Sequence, residues 1–373
     1  MRRGGASNNQ AILDGNRVTI LKDGRETFPA MIEAIEGAFS TINLETYMFR
    51  SDNIGWRFGE ILAKKASGGV EVNIIYDSIG SMDCGEDFLN FLQSYDVRLL
   101  EYNPIAPWKK GWKWVRRDHR KILVVDGKIG FTGGINIADD YADISERGKG
   151  WRDTHIKIEG PAVKELQKLF LSAWKRNAGD KKYYPQLEEI GNTPVHIVGS
   201  REIKNRKAIK RAYIHAIKNA KERIYLTSAY FVPDRGIIRA LHNACKRGVE
   251  VLLILPSVSD VKSVQYASRS LYSRLLSSGV RIYERGGEVL HSKTAVIDSE
   301  WSTIGSYNMD HRSYLYDLEV NAIIYGNEFG EKMKAMFLDD LGNCRKIDIE
   351  EWRNRPFIKK VIEIFCFRFR HWM

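Results

Sequence analysis

The chain has 373 residues, enough for two domains of ordinary size, and 43% of them are apolar, enough to bury sizeable cores. Its 58 lysine and arginine residues exceed its 47 acidic residues, and the net charge of +11 favours an anionic partner such as phospholipid headgroups or nucleic acid. Four scattered cysteines without C-x-x-C spacing argue against a disulfide scaffold or a zinc site and fit a reducing cytosol. The start lacks the apolar core of a signal peptide, and no run of about eighteen apolar residues predicts a membrane span.

The first half of the chain alternates predicted strands and helices. Residues 1–15 are expected to be flexible. The elements predicted next are a strand and turn at 16–24, an amphipathic helix from Phe28 to Ser40, a strand at 41–50, a helix from Asn53 to Ser67 and a central strand at 70–77. This order predicts an α/β layer. Glu45 lies among apolar residues of the second strand, where an acid at a strand end facing solvent and a functional acid are equally open interpretations.

A basic, tryptophan-rich run follows at 104–118 (PIAPWKKGWKWVRRD). Its tryptophans, Trp108, Trp112 and Trp114, alternate with lysine and arginine. Such a mixture suits the headgroup region of a membrane, stacking on single-stranded nucleic acid, or a solvated loop. In the first two cases the run would lie at the rim of the site that begins immediately after it.

The stretch from His119 to Asn136 (HRKILVVDGKIGFTGGIN) recurs from His291 to Asn308 (HSKTAVIDSEWSTIGSYN). The matching residues are His119, Lys121, Asp126, Gly133 and Asn136 in the first copy and His291, Lys293, Asp298, Gly305 and Asn308 in the second. The runs ILVVD and TAVID predict buried strands, and a His and a Lys two residues apart on a strand point the same way. Two copies facing each other would surround one tetrahedral anion with imidazole, ammonium and carboxamide groups, which predicts a catalytic site.

Whole elements are duplicated as well as the motif. The strand RIYLTSAYF matches TINLETYMF, and VEVLLILP matches VEVNIIYD. The sequence therefore predicts two similar α/β units, each a mixed sheet flanked by helices, with a pseudo-two-fold axis that brings the motifs together at their interface. The predicted segments are the first unit at 16–180, a linker at 181–192, the second unit at 193–345 and a basic, apolar tail at 346–373. An interfacial amphipathic helix and a plain docking helix both fit the tail.

These residues resemble the phospholipase D superfamily, whose signature is the doubled H-x-K-x4-D, and more narrowly the bacterial cardiolipin synthases. The stretches that carry the resemblance are DHRKILVVDGKIGFTGGINIADDY, WRDTHIKIEGPAV, YFVPDRGIIRALHNACKRGVEVLLILP and LHSKTAVIDSEWSTIGSYNMDHRS, and it covers roughly residues 16 to 345. Many cardiolipin synthases carry N-terminal membrane spans, and this chain resembles the shorter forms without them. The family pattern expects an Asn near Tyr316 or Asp317, where this chain reads YLYD.

The resemblance implies a two-step phosphatidyl transfer without a metal or other cofactor, and the sequence likewise has no clustered carboxylates or ligand spacing that suggests a metal site. His119 is expected to attack phosphorus, and His291 to act as acid and base; the two copies are so similar that the roles could be exchanged. Lys121, Lys293 and the two motif asparagines are expected to meet the charge of the phosphodiester.

Several supporting residues are also predicted. Asp153 and Glu319 are the candidates to hold the second nitrogen of each imidazole, with an ordinary salt bridge as the alternative. Asp126 and Asp298 belong to the signature, but strand alternation turns Asp126 away from the His119 face, so each is expected to anchor a turn. Ser306 could bind a phosphate oxygen or be required only for its small size. The resemblance places Glu45 near the floor of the site.

The resemblance implies phosphatidylglycerol as donor and a second phosphatidylglycerol as acceptor, giving cardiolipin and glycerol. Phosphatidylethanolamine as donor, water as acceptor in a phospholipase D reaction, nucleic-acid cleavage, and an inactive module that binds anionic phospholipid are the alternatives. We expect anionic phospholipid at a membrane surface as the partner, no nucleic acid, a peripheral position on the cytoplasmic face of the bacterial cell membrane, and no need for an oligomer because both motifs lie in one chain.

Overall fold

The structure is a computed structural model that describes residues 11–105, 108, 115–174, 187–200 and 205–370. Its elements fall into two series. The strands of the first half are β1 (Leu13–Lys22), β2 (Thr41–Thr46), β3 (Glu71–Asp77), β4 (Arg98–Tyr102), β5 (Ile122–Val125), β6 (Ile129–Gly133) and β7 (Thr154–Glu159). The helices of this half are α1 (Asp23–Glu36), α2 (Asn53–Ser67), α3 (Glu86–Ser94) and α4 (Val163–Trp174).

The second half repeats this series and extends it. Its strands are β8 (Thr193–Gly199), β9 (Arg223–Ser228), β10 (Glu250–Pro256), β11 (Arg281–Arg285), β12 (Lys293–Ile297), β13 (Trp301–Gly305), β14 (Val320–Tyr325) and β15 (Cys344–Lys346). Its helices are α5 (Ala208–Asn219), α6 (Arg235–Lys246), α7 (Lys262–Arg269), α8 (Tyr272–Ser277), α9 (His311–Leu315), α10 (Asn327–Gly342), α11 (Ile349–Arg353) and α12 (Phe357–Arg368).

Within the described residues, all fifteen strands form one mixed sheet. The first half runs β4-β3-β2-β5-β6-β7-β1, and an antiparallel β1–β8 pair joins it to the second half, β8-β14-β13-β12-β9-β10-β11-β15. Counted outward from that junction, corresponding strands come in the same order in both halves. The strands β2, β3 and β4 of the first half and β9, β10 and β11 of the second are parallel and need helical crossovers, whereas the motif hairpins β5–β6 and β12–β13 are antiparallel. The short edge strand β15 pairs with β11 in antiparallel fashion. The predicted mixed α/β class with two repeated units is confirmed.

The motif strands are buried on both faces. On β5, Leu123 and Val125 join the core beneath α1, α2 and α3, whereas Ile122 and Val124 face a core shared by the two halves. The strand β12 follows the same alternation, with Val296 in the shared core. Because close-packed strands of this kind have little freedom to shift, the catalytic candidates at their ends are held on a rigid support.

Some boundaries differ from the sequence prediction. The helix expected from Phe28 begins at Asp23, because the Glu26 carboxylate accepts a hydrogen bond from the backbone N–H of Lys22 (2.8 Å) and so caps an earlier start. The strand β1 begins at Leu13, inside the segment expected to be flexible, and residues 1–10 are outside the described part. The predicted linker at 181–192 is described only from residue 187. Among the described residues, no helix is long and apolar enough to cross a membrane.

Candidate active site

Two backbone crossings between the halves build the site. Asp118 forms an isolated bridge with Leu318, and the N–H of His119 donates to the Leu318 carbonyl (2.9 Å). In the second crossing, Arg152 bridges Leu290, and the N–H of His291 donates to the Arg152 carbonyl (2.8 Å). Each histidine is therefore paired with the residue that precedes the acid of the other half, so the two motifs meet and the acids are exchanged between them.

The first exchanged pair is His119 with Glu319. The Nδ1 atom of His119 lies 3.2 Å from both carboxylate oxygens of Glu319. The Tyr47 ring packs edge-on against the imidazole with centroids 5.1 Å apart, and 12% of the His119 side chain remains exposed. Burial, followed by the charges of Lys121 and Lys293, lowers the pKa of His119 well below its ordinary value. A neutral ring held at Nδ1 leaves Nε2 with a free lone pair.

The second exchanged pair, His291 with Asp153, is tighter. Their Nδ1 and Oδ2 atoms are 2.7 Å apart, and the Tyr141 hydroxyl lies 3.3 Å from the same nitrogen. The ammonium nitrogen of Lys293 lies 2.8 Å from Nδ1 and 3.1 Å from Nε2 of the ring. Burial and the charge of Lys293 lower the pKa of His291, and Asp153 opposes that change. His291 is thus positioned by a carboxylate, a phenol and an ammonium group at once.

The two acids differ electrostatically. Burial alone would raise the pKa of Asp153, but the charge of Lys293 and the hydrogen bond with His291 lower it below its ordinary value. Burial and the nearby Asp317 raise the pKa of Glu319 well above its ordinary range. At neutral pH an ionised carboxylate therefore faces His291, whereas the carboxyl group facing His119 is much easier to protonate.

The hydroxyl of Ser306 donates to Glu319 Oε2, and the N–H of Val320 donates to the same hydroxyl (3.1 Å). Ser306 therefore supports the acid that contacts His119. The matching residue, Gly134, has no room for a side chain, because a Cβ atom there would lie 2.2 Å from Asp153 Oδ1. The two copies thus hold their acids differently: one through a hydroxyl, the other by close approach of the backbone.

Both motif lysines are buried beside the histidines. Burial lowers the pKa of Lys121 to about 7 and that of Lys293 to about 8, although neighbouring carboxylates oppose the change. The Lys121 ammonium donates to the His119 carbonyl (2.7 Å) and lies 5.3 Å from the Tyr47 ring centroid. An arriving phosphate anion would stabilise the charged form of both lysines. A larger fraction of the two lysines is therefore protonated when an anion is bound than when the site is empty.

The two motif asparagines are not equivalent. Asn136 donates to the Tyr141 hydroxyl (2.7 Å) and accepts from the backbone N–H of Met48 (3.1 Å), so it orders the residues around His291. The Oδ1 atom of Asn308 is buried and has no hydrogen-bond partner within the described part of the chain. Asn308 therefore keeps an unused hydrogen-bond acceptor for a ligand, whereas the amide oxygen and nitrogen of Asn136 are already engaged.

The signature aspartates lie at the far ends of the motif strands from the histidines. Asp126 follows β5 and accepts hydrogen bonds from the backbone N–H groups of residues 39–41, between 2.8 and 3.1 Å. Asp298 follows β12 and accepts from those of residues 221–223, between 2.7 and 2.9 Å. Each carboxylate thus fixes the start of the neighbouring strand, β2 or β9. Within the described part of the chain, neither carboxylate forms a hydrogen bond with a motif histidine.

The remaining predicted residues lie around this centre. Glu45 is fully buried and pairs with Arg120 at 2.5 Å, so the interpretation as a solvent-facing strand-end acid is wrong. Burial raises the pKa of Glu45 well above its ordinary value, and Arg120, which lies between His119 and Lys121 in the sequence, opposes the change. Trp108 is 80% exposed, whereas the predicted contacts Trp112 and Trp114 lie outside the described residues.

Sequence reasoning missed the tyrosines and the arginines of the site. Tyr47 and Tyr230 lie just beyond the matched strands β2 and β9, a signal that could have been used, whereas Tyr141 came from an apparently polar loop. Arg117 and Arg152 are buried where the halves cross, and Arg152 pairs with Asp340 at 2.6 Å. These arginines hold the crossing segments in place.

The family pattern expected an asparagine near Tyr316 or Asp317. In the structure the buried Asp317 carboxylate lies 3.1 Å from Arg312 Nε and accepts from the backbone N–H of Arg117 (3.3 Å). Burial raises the pKa of Asp317 to about 8, and Arg312 opposes the change. The departure from the family pattern is therefore an acid near Glu319 whose charge raises the pKa of that carboxyl group.

Within the described residues, no group of three or more His, Cys, Asp or Glu side chains is arranged to hold a metal ion. The groups gathered at the centre are instead two imidazoles and two ammonium groups, and the second motif adds the buried Asn308 amide oxygen, which has no partner among the described residues. Such a set can attack a phosphorus atom, donate a proton to a leaving oxygen and offset the charge of a tetrahedral phosphate.

Comparisons with known proteins agree with this geometry. The family model described as "Cardiolipin synthase, PLD-like domain" matches residues 31–174 and 213–341. The chain is 37% identical over 354 residues to a cardiolipin synthase of Geobacillus thermodenitrificans, covering 93% of this chain and 70% of that protein. It is 34% identical over 363 residues to cardiolipin synthase 2 of Staphylococcus epidermidis, covering 95% of this chain and 74% of that protein.

Among solved structures, a phosphatidylserine synthase from Haemophilus influenzae Rd KW20 is similar over 98% of both chains with a TM-score of 0.72. At 13% sequence identity this likeness shows the fold alone. The family match spans both motif copies, and the relatives are similar over nearly the whole chain. The chain therefore belongs to the cardiolipin synthase family of the phospholipase D superfamily, a family of phosphatidyltransferases.

Proposed function

We propose that this chain makes cardiolipin from two molecules of phosphatidylglycerol and releases glycerol. The observation that carries the proposal is the exchanged pairing of His119 with Glu319 and of His291 with Asp153. Both pairs hold Nδ1, so we assign the two Nε2 atoms to the chemistry: that of His119 attacks phosphorus, and that of His291, beside the Lys293 ammonium (3.1 Å), transfers the proton. Phosphatidyl transfer through a covalent intermediate requires both functions.

In the first step, Nε2 of His119 attacks the phosphorus of phosphatidylglycerol. A P–N bond forms and the P–O bond to the glycerol headgroup breaks, while His291 gives its Nε2 proton to the departing glycerol oxygen. The product is a phosphatidyl-histidine at His119 and free glycerol. In this proposal Lys121 and Lys293 offset the charge on the equatorial oxygens, and the Asn308 carboxamide contributes a further polar contact; the burial of both lysines and the unpartnered Asn308 oxygen support these roles.

In the second step, the terminal hydroxyl of another phosphatidylglycerol attacks the same phosphorus. His291, now neutral, takes the proton of that hydroxyl as the new P–O bond forms and the P–N bond breaks. The product is cardiolipin, and His119 returns to its neutral form. Both histidines therefore recover their starting protonation states, so no cofactor or metal is needed to balance the cycle.

The unequal acids support this division of roles. An ionised Asp153 favours the protonated form of His291, which a general acid requires, and contact with an anionic substrate favours it further. The raised pKa of Glu319 and the lowered pKa of His119 favour the neutral, nucleophilic form of His119. Exchanged roles would make the nucleophile the histidine that faces the ionised carboxylate.

We place the enzyme peripherally on the cytoplasmic face of the bacterial cell membrane, where its lipid substrates lie. The net charge of +11 supports contact with anionic headgroups, and the exposed Trp108 precedes the first motif. We assign the segments 16–180 and 193–345 as the two domains, each supplying one histidine–lysine pair. One chain then carries a complete site without an oligomer.

The test is incubation of purified protein with phosphatidylglycerol vesicles, followed by mass spectrometry of the lipids and assay of glycerol. His119→Ala is the inactive variant, and His215→Ala is the matched control because His215 is exposed on α5. We expect cardiolipin and glycerol in equal amounts from the wild type and from His215→Ala. Phosphatidic acid alone would contradict the acceptor, and cleavage of an oligonucleotide without any lipid change would contradict the substrate class.

The covalent step has its own test. Brief reaction with phosphatidylglycerol, acid-free quenching and peptide mass spectrometry should find the phosphatidyl group on His119. His291→Ala should accumulate that adduct when supplied with a donor whose leaving group needs no protonation. An adduct on His291 in the wild type would show that the roles are reversed.

A further inference from the structure

The helix α12 turns apolar side chains toward solvent. Phe357, Val361, Phe365 and Phe369 recur at every fourth position from the start of the helix to the residue after it and form one ridge. Ile358, Ile362 and Ile364 flank the ridge, and these seven residues are between 39% and 80% exposed. Large apolar side chains grouped on one face mark an interaction surface, unlike single exposed ones.

The opposite face of α12 is fixed to the protein. Glu363, 2% exposed, forms an ion pair with Arg355 at 2.6 Å. Cys366 and Phe367 pack against a small core made by Val232 and residues of α7. Because the acid and this packing determine the rotation of the helix, its apolar face points outward by construction.

This helix lies close to the catalytic centre. The core that receives Phe367 also includes Tyr230, which is partly buried against it. The Tyr230 ring centroid is 6.1 Å from that of His291 and 6.0 Å from the Lys293 ammonium. The docked face of α12 and the Tyr230 ring beside the second histidine–lysine pair therefore pack against the same small core.

The charges around the exposed face are positive. Arg368 lies within the arc of apolar residues at helical spacing. Lys359 is exposed beyond its edge, whereas Arg370 stacks on the docked Phe367 ring at 4.2 Å. Glu363, the only acid in the helix sequence, faces inward and is already paired. An apolar ridge bordered by cations complements the boundary between anionic headgroups and acyl chains.

We propose that α12 inserts its outward face into the surface of an anionic phospholipid bilayer and holds the His291 side of the active site against it. The choice of lipid rather than protein as partner rests on the proposed function, since the substrates would be lipids of that surface. A second copy of the chain could cover an apolar face too, but the cations along the face would then be brought together across a two-fold contact, which is unfavourable.

Vesicle binding tests the docking directly. The full chain is sedimented with vesicles of phosphatidylglycerol and phosphatidylcholine in equal parts, and with phosphatidylcholine alone. Phe357→Ser combined with Phe365→Ser should weaken partitioning to the mixed vesicles by about tenfold or more, since two large apolar contacts are lost. Phe39→Ser is the matched control, because Phe39 is 68% exposed beside Asp126, at the far end of β5 from His119. Thermal unfolding should show that the exposed substitutions leave the fold intact.

Turnover separates docking from chemistry. On vesicles the double variant should lose cardiolipin formation in parallel with binding, while turnover of a short-chain phosphatidylglycerol dispersed as monomers should persist. Unchanged vesicle binding by the double variant would overturn the proposal. So would a change from dimer to monomer in light scattering with binding retained, which would make the face a contact between copies. Equal wild-type binding to both vesicle types would overturn the requirement for anionic lipid.

The same experiment distinguishes failure of the proposed function. Wild-type protein that binds vesicles through α12 but forms no cardiolipin would leave the docking inference standing and remove the proposed reaction. Cardiolipin formation that is insensitive to the α12 substitutions would leave the proposed reaction standing and remove the docking inference. Charge reversal by Arg368→Glu should reduce binding to the mixed vesicles most at low salt, because screening weakens the attraction.

Discussion

Replacing Asp153 by asparagine should disable proton transfer by His291 while leaving the backbone in place. In the native site, Asp153 Oδ1 accepts from the backbone N–H of Thr154 (2.7 Å), and Oδ2 faces His291 Nδ1 (2.7 Å). In Asp153→Asn the amide oxygen must remain on the Thr154 side to accept that bond, so the amide NH₂ group faces Nδ1. His291 would then have to accept at Nδ1 and carry its proton on Nε2, which is the wrong tautomer for a base.

The size of the effect follows from what is lost. A hydrogen bond to a charged group contributes about 1.5–3 kcal/mol, which corresponds to roughly 10- to 150-fold in rate. The tautomer change adds to this, so we expect kcat for cardiolipin formation to fall about a hundredfold or more. Asp153 also raises the pKa of His291, so the pKa of His291 should fall in Asp153→Asn. The decline in rate that follows deprotonation of this general acid should therefore occur at lower pH than in the wild type.

Glu319→Gln is the matched comparison because Glu319 holds the other histidine. Its carboxyl group already has a raised pKa, and the rotatable Ser306 hydroxyl can donate to or accept from an amide. We expect a fall in kcat of about tenfold, the lower end of the range for one hydrogen bond. Initial rates by mass spectrometry across pH, with thermal unfolding as the fold control, measure both variants. A kcat for Asp153→Asn within about threefold of wild type, or greater damage from Glu319→Gln, would refute this reasoning.

Three further predictions concern the charges and close contacts of the site. As pH rises through about 7 and about 8, Lys121 and Lys293 lose their positive charges, so KM for the anionic lipid should increase on the alkaline side; a KM that is flat across that range would contradict their role. Asp126→Ala should lower stability by about 2–3 kcal/mol through loss of its backbone hydrogen bonds, with kcat of the folded protein nearly unchanged, as thermal unfolding and active-site titration would show. Gly134→Ser should reduce turnover as strongly as Asp153→Asn because its Cβ would collide with that carboxylate; normal turnover would mean that the carboxylate can move away at little cost.

Much of the site could be predicted from the sequence because its chemistry is written locally. The two histidine–lysine pairs are identified by spacing and repetition, and both lie together in the fold as expected. Strand alternation also predicted that Asp126 turns away from the histidine, and its carboxylate binds backbone N–H groups at the other end of β5. These features depend on neighbours along the chain, so a single strand pattern is enough to reveal them.

Pairing across the halves could not be predicted in this way. The sequence offered Asp153 and Glu319 as partners for the histidines but left open which acid meets which ring, and the crossings at Leu290 and Leu318 decide that each acid serves the other half. The different fates of the motif asparagines and the unequal acid pKa values likewise depend on residues distant in sequence. A repeat predicts equivalence, whereas burial and nearby charge set each copy apart.

The helix α12 shows the same division. Its sequence determined that a helix with apolar and basic residues would form near the end of the chain, but its period could not tell which face would pack. The tertiary structure decided this by pairing Glu363 with Arg355 and seating Phe367 in a small core, which left Phe357 and Phe365 outside. Side-chain periodicity is a property of the segment itself, whereas the direction in which each face points is decided only by what the rest of the chain brings against it.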